Sequence, residues 1–128
     1  MSKNSYRVLV VDDNRINRLK LIRALKTQDY DVLEAPGGKE ALDILSSEPI
    51  DLVLLDLLMP DVDGFQVLEK MQIDQQTRDI PVVMVTAVDE AEDLEKCMEI
   101  GAVDYITKPF DPEVLKERVE GYLENARA

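Results

Sequence analysis

The stretch VLVVDDN, residues 8–14, runs four apolar residues straight into two adjacent aspartates. A continuous apolar run of this kind is the pattern of a strand buried on both faces. Its carboxyl end therefore delivers Asp12 and Asp13 to the rim of a core. Two carboxylates about 4 Å apart at an effective dielectric near 20 repel by about 4 kcal/mol. The rest of the chain must bring a cation, or water, to the same place.

Outward from that strand, apolar runs recur at YRVLVV (6–11), DVLEA (31–35), DLVLLD (51–56), PVVMVT (81–86) and VDYIT (103–107). Between and after them, apolar residues fall three and four apart: Leu21, Ala24, Leu25; Ala41, Leu42, Leu45; Phe65, Leu68, Met71; Ala91, Leu94, Met98; and Leu115, Val119, Tyr122, Leu123. That is helical spacing. Asn14 suits the cap of the first helix, Gly37-Gly38 opens the second, and Asp89 with Glu92 spells a capping box for the fourth. Gly101 suits the close of that helix, and Asp111-Pro112 is an N-cap with proline at the first helical position. Gly121 lies inside the last helix and weakens it by about 1 kcal/mol relative to alanine.

Strict alternation of strand and helix implies right-handed parallel crossovers and a sheet covered on both faces. The expectation is one α/β domain, a doubly wound (βα)5 flavodoxin-like fold with strand order 2-1-3-4-5, spanning residues 1–128 with a core over 6–124. Ligands in such folds sit beyond the carboxyl ends of the strands, where the strand order switches between the first and third.

Composition narrows the chemistry. The chain has 128 residues, 45% hydrophobic and 33% charged, which is ordinary for a globular protein. A net charge of −12 argues against binding a nucleic acid backbone over its bulk surface. No apolar run is long enough to span a membrane, and the opening MSKNSYR is too polar for a signal peptide. Cys97 is the single cysteine, so an intrachain disulfide is impossible and a cytoplasmic setting is expected. It lies beside the Leu94 and Met98 stripe, as a small core residue would. The absence of histidine removes histidine-based catalysis and histidine metal sites together. Carboxylates, lysine, hydroxyls and a hard metal remain.

The strand ends supply such a set. The first ends in Asp12-Asp13, the third in Asp56 and the fourth in Thr86, and Lys108 follows the fifth. Only the second contributes nothing obviously chemical. An oxygen-rich patch without thiol or imidazole suits Mg²⁺, and Lys108 and Thr86 suit phosphoryl oxygens. These are parts for phosphoryl transfer, in which a carboxylate can itself be the nucleophile.

With those residues in order, the chain resembles a response-regulator receiver domain of the chemotaxis type used in two-component signalling. The acid pair, LLDLLMPDVDG, VTA and DYITKPF carry the resemblance from about Tyr6 to Glu124. It implies that Asp56 accepts a phosphoryl group from the phosphohistidine of a sensor histidine kinase or a phosphotransfer protein. Asp13, Asp56 and the backbone carbonyl of Leu58 would bind Mg²⁺, with Asp12 orienting a metal-bound water. Lys108, Thr86 and the backbone N–H groups of Leu57 and Ala87 would contact the phosphoryl oxygens, and the bond to Pro109 would be cis. Tyr105 matches the aromatic that turns inward when Thr86 moves; from its place on a strand, core packing stays open as well. The readout would be the fourth helix, fifth strand and fifth helix, where an effector or a second copy docks. The module would be a switch that catalyses its own phosphotransfer and dephosphorylation, not a turnover enzyme. Leu58 and Val88 depart from the most polar family versions, which implies slow self-hydrolysis. The segment 86–119 is similar to receivers attached to cyclases and phosphatases, so an output domain is expected.

Four other readings are weaker. An EF-hand loop over Asp61, Asp63 and Gly64 would need acids where Met59 and Lys70 stand; Gly64 reads instead as a turn glycine. A Mg²⁺-dependent phosphatase with an aspartate nucleophile, of the haloacid-dehalogenase kind, wants a second acid where Leu58 stands. A flavin-binding flavodoxin would need a phosphate loop that DDNRIN would repel. A pseudo-receiver would not need the intact acid set. Helix capping alone would need one aspartate after the first strand, not two, and the acidic DEAEDLE suits a solvated helix face.

Overall fold

In the computed structural model, which describes residues 5–127, the apolar runs become five strands alternating with five α-helices. The order is β1 (Arg7–Val11), α1 (Arg15–Leu25), β2 (Asp31–Ala35), α2 (Gly38–Ser47), β3 (Leu52–Leu55), α3 (Gly64–Ile73), β4 (Val82–Thr86), α4 (Ala91–Ile100), β5 (Asp104–Thr107) and α5 (Pro112–Arg127). All strand pairs are parallel, in the order β2-β1-β3-β4-β5. This is the doubly wound arrangement that the alternation predicts. The expected span of 1–128 includes residues 1–4 and 128, which lie outside the described residues, as does the start of the polar MSKNSYR stretch.

Side chains alternate across the sheet with period two. Leu9, Val11, Val53, Leu55, Val82 and Met84 share one core with Ala41 and Leu45 of α2, Leu68 and Met71 of α3 and Cys97 of α4. Val8, Val10, Leu52, Leu54, Val83 and Val85 share the other with Leu21 and Leu25 of α1 and Leu115, Val119 and Leu123 of α5. Each fully buried leucine stabilises the fold by about 1.5–3 kcal/mol relative to an exposed one. These two layers hold β1, β3 and β4; Asp12-Asp13 follow β1, Asp56 follows β3, and Thr86 ends β4.

Most helix signals are realised. The Asn14 side chain accepts the Asn17 N–H at 2.9 Å, and Gly37 stands at the N-cap of α2. Asp111 accepts the Glu113 N–H at 2.9 Å, with Pro112 opening α5. Gly101 closes α4 at φ +149°, a conformation that favours glycine.

Three details differ. The capping box forms on α3, where Asp63 and Gln66 exchange bonds of 3.0 and 2.9 Å, and not on α4. There Glu90 is the N-cap, its carbonyl accepting from Asp93 and Leu94 at 3.1 Å. That puts Asp89 one residue too early to cap. The α4 stripe is shifted too: Leu94 and Cys97 are buried, whereas Ala91 and Met98 are exposed. Gly64 begins α3 and is required by proximity, since a Cβ there would lie 2.6 Å from the Asp56 carbonyl oxygen and 2.7 Å from Leu57 Cα.

Candidate functional site

The β1 ladder continues one residue beyond the strand, where the Asp12 N–H donates to the Ala35 carbonyl at 3.2 Å. Asp12 is 1% exposed, and every part of it is held. One carboxylate oxygen, Oδ1, accepts the Asn14 N–H at 2.9 Å, and Oδ2 accepts Lys108 Nζ at 2.6 Å. Its carbonyl accepts the Arg18 guanidinium at 2.8 Å. Asp13, the next residue, is exposed.

Asp56 is carried by the end of β3, its N–H donating to the Val11 carbonyl at 3.0 Å. It is 6% exposed. Oδ2 accepts Lys108 Nζ at 3.2 Å, and Oδ1 accepts the Leu58 N–H at 3.4 Å. The close approach of Gly64, whose N–H donates to the Leu57 carbonyl at 2.9 Å, fixes the loop behind it. Burial pushes the Asp56 carboxyl above its usual value; Lys108 and the Thr86 hydroxyl oppose that, and Asp12 adds to it. Burial also acts against the Lys108 ammonium, but the hydrogen bond to Asp12 and the charges of Asp56 and Asp12 outweigh it and raise its value.

Lys108 reaches this place from the end of β5, anchored by its N–H to the Thr86 carbonyl at 2.9 Å. The Lys108–Pro109 peptide is cis. Thr86 is fully buried at the end of β4, and its hydroxyl accepts the Val88 N–H at 3.2 Å. Ala87 is exposed directly after it, and Leu57, buried, directly follows Asp56. Leu58 is 62% exposed at the rim, and Val88 is half-buried. Tyr105 lies two positions before the end of β5, opposite Met84, and is 39% exposed over Ala91, Leu94 and Met98 of α4. It is not core packing in this conformation.

Asp12, Asp13 and Asp56 each offer an oxygen, all within 4.8 Å of one another. Donors about 2.1 Å from one octahedral ion stand about 3–4 Å apart, and Mg²⁺ takes oxygen ligands while keeping several waters. The residues present fit that ion. Beside the acids a groove of about 600 Å³ opens between α1 and α5, lined by Lys20, Arg23, Lys108, Phe110 and Lys116 among others.

Two participants are absent from the sequence reading. Arg18, on the first turns of α1, and Glu34, on β2, form an ion pair at 3.0 Å behind Asp12. The strand that seemed chemically silent thus contributes a carboxylate. The available signal was that α1 carries Arg15, Arg18, Lys20 and Arg23 with no acid, in a chain of net charge −12.

No helix among the described residues is long and apolar enough to cross a membrane. The family model of the response regulator receiver domain matches residues 8–120. A probable cyclic di-GMP phosphodiesterase of Vibrio cholerae is 40% identical over 121 residues, covering 94% of this chain and 27% of that protein. A probable transcriptional regulator ycf27 of Porphyridium aerugineum is 39% identical over 117 residues, covering 91% of this chain and 48% of that one. The chain thus spans half or less of the length of these relatives. A CheY-like receiver domain protein from Methanospirillum hungatei superposes with a TM-score of 0.89 at 28% identity, over 96% of this chain and 97% of that one. This chain belongs to the response regulator receiver domain family of two-component systems.

Proposed function

We propose that Asp56 is the phosphoacceptor and that the module is a switch driven by its phosphorylation. The observation that carries this is the bridge of Lys108 between Asp12 and Asp56 inside a cluster of three carboxylates. An Asp56 oxygen attacks the phosphorus of a phosphohistidine on a kinase or phosphotransfer protein. The P–N bond breaks, its electron pair leaves with the imidazole, and an acyl phosphate remains on Asp56. Asp13, Asp56 and the Leu58 carbonyl would hold Mg²⁺, with Asp12 beside them to accept from its water shell, and the ion would supply charge neutralisation for the incoming oxygens.

Lys108 then exchanges its Asp56 contact for a phosphoryl oxygen while keeping Asp12. The Thr86 hydroxyl accepts the Val88 N–H and donates toward Asp56, so the hydrogen bond it donates can shift from the carboxylate to another phosphoryl oxygen. The N–H groups of Leu57 and Ala87 complete the cradle. The basic groove beside Lys108 and Phe110 faces the incoming donor protein.

The transferred group adds about 1.5–2 negative charges next to Thr86. Movement of Thr86 toward it frees space for Tyr105, now exposed, to turn inward. That alters the α4–β5–α5 face, where an output domain, an effector or a second copy docks. Swinging the population from 1:99 to 99:1 needs about 5.5 kcal/mol of differential stabilisation. A phosphodiesterase and a transcriptional regulator among the relatives support an attached output; in this reading the switch works in the cytoplasm.

Incubation with a small-molecule phosphodonor, followed by intact-mass measurement, tests the assignment. One phosphate adduct that requires Mg²⁺ and disappears in Asp56→Asn is expected. An adduct retained in Asp56→Asn would refute it.

A further inference from the structure

Glu34 and Arg18 are not ligands, yet they brace the residue on which the acid cluster is built. Arg18 Nε donates to Glu34 Oε1 at 3.0 Å, and its Nη1 donates to the Asp12 carbonyl at 2.8 Å. The Arg18 side chain is 14% exposed and its bond to the Asp12 carbonyl is partly buried, whereas Glu34 meets it from the solvent side at 45% exposure. The guanidinium fork spans two acceptors in a fixed plane, which a lysine ammonium cannot reproduce.

The bracing comes from two directions. Arg18 lies one helical turn after Asn14, whose own N–H holds Asp12 Oδ1 at 2.9 Å. Glu34 pairs with Val10 across the β1–β2 ladder, two positions before Asp12. The loop that carries Asp12 and Asp13 is therefore clamped between the first turns of α1 and the edge strand.

We infer that Arg18 and Glu34 form a positioning pair that fixes Asp12, and through it the carboxylate geometry offered to Mg²⁺. The inference deepens the metal reading and rests on it. Simple electrostatics predicts the opposite sign: a cation near an acidic cluster repels a metal ion, so its removal should tighten binding. Positioning predicts weaker binding on removal, because groups behind a ligand orient it.

The test is a Mg²⁺ titration by calorimetry on the full chain and on Arg18→Gln, Arg18→Lys, Glu34→Ala, Glu34→Gln and the double variant Arg18→Gln/Glu34→Ala. Arg18→Gln and Glu34→Ala should each weaken binding by about tenfold. The double variant should be no weaker than Arg18→Gln, since both act through one contact. Glu34→Gln keeps an acceptor for Arg18 and should stay near wild type, whereas Arg18→Lys keeps the charge without rescuing affinity.

A metal-free readout runs in parallel. Hydrogen exchange at the Asn14 amide, which reports the Asp12 carboxylate position, should accelerate in Arg18→Gln and not in Glu34→Gln. Unchanged or tighter Mg²⁺ binding in Arg18→Gln, additive losses in the double variant, or an unaltered Asn14 amide would overturn the inference. A wild-type chain that binds no Mg²⁺ would refute the metal reading itself. The Asn14 exchange would then still decide whether Arg18 positions Asp12.

Discussion

Lys108 Nζ stands 2.6 Å from an oxygen of Asp12 and 3.2 Å from an oxygen of Asp56, a single ammonium shared by two buried acids from different strands. It supplies the cation that the acid pair at the end of VLVVDDN demands. Removing it leaves uncompensated charge where water has little access. Lys108→Ala should therefore lose about 3 kcal/mol of metal-free stability at neutral pH. Denaturant unfolding measures this, and Mg²⁺ should restore part of the loss. A variant as stable as the wild type would show that the bridge is not needed.

The Asp56 shift sets a pH dependence with a definite sign. Its folded value is raised above the usual 3.8, so the folded chain holds that proton more tightly than the unfolded one. Ionised Asp56 thus subtracts from stability above its folded value, and the penalty vanishes as pH falls through that value toward 3.8. Lys108, raised above 10.5, contributes fully below that and loses its contribution only as pH rises past its folded value, so it is constant across this acid window. Metal-free Asp56→Asn should melt about 4 °C higher than wild type at pH 7, roughly 1 kcal/mol, and the advantage should shrink toward pH 4. A variant that melts lower at pH 7 would contradict the assignment.

Much of this was legible in the sequence because it depends on spacing within the chain. Continuous apolar runs exposed β1, β3 and β4, alternation with helices implied a parallel sheet, and the flavodoxin-like order expected for five such strands is the one that gathers Asp12, Asp13, Asp56, Thr86 and Lys108. What stayed hidden depends on register between strands. Glu34 reads as a charged residue on a half-exposed edge strand until Val10 is seen beside it. The start of α4 is hidden for another reason: Asp89 and Glu90 are both acids, and only backbone bonds to the Glu90 carbonyl decide between them.

Gly64 suits a turn by sequence alone, but its closeness to the Asp56 carbonyl gives it a different test. Gly64→Ala places a methyl group 2.6 Å from that oxygen, against backbone that cannot move without displacing Asp56. The expected loss is about 2 kcal/mol of stability, with slower phosphorylation of the folded fraction. Equal unfolding midpoints and equal phosphorylation rates would show that the loop yields freely.

Leu58, exposed at the rim, and Val88, half-buried, offer no polar group to an attacking water. Replacing them by Leu58→Asn and Val88→Glu should speed loss of the phosphoryl group by about tenfold, equivalent to roughly 1.4 kcal/mol of barrier. Timing the decay of the phosphate adduct by mass measures it. An unchanged lifetime would reject the idea that these side chains prolong the phosphorylated state.

The most direct test of the central claim is thermal melting of the full chain across a Mg²⁺ titration, beside a variant carrying Asp13→Asn and Asp56→Asn. A ligand that binds only the folded state at a hundred times its dissociation constant adds about 2.7 kcal/mol. The wild-type midpoint should climb steadily with Mg²⁺ and that of the variant should stay flat. A wild-type midpoint indifferent to Mg²⁺, or an equal climb in the variant, would contradict a metal site built from these carboxylates.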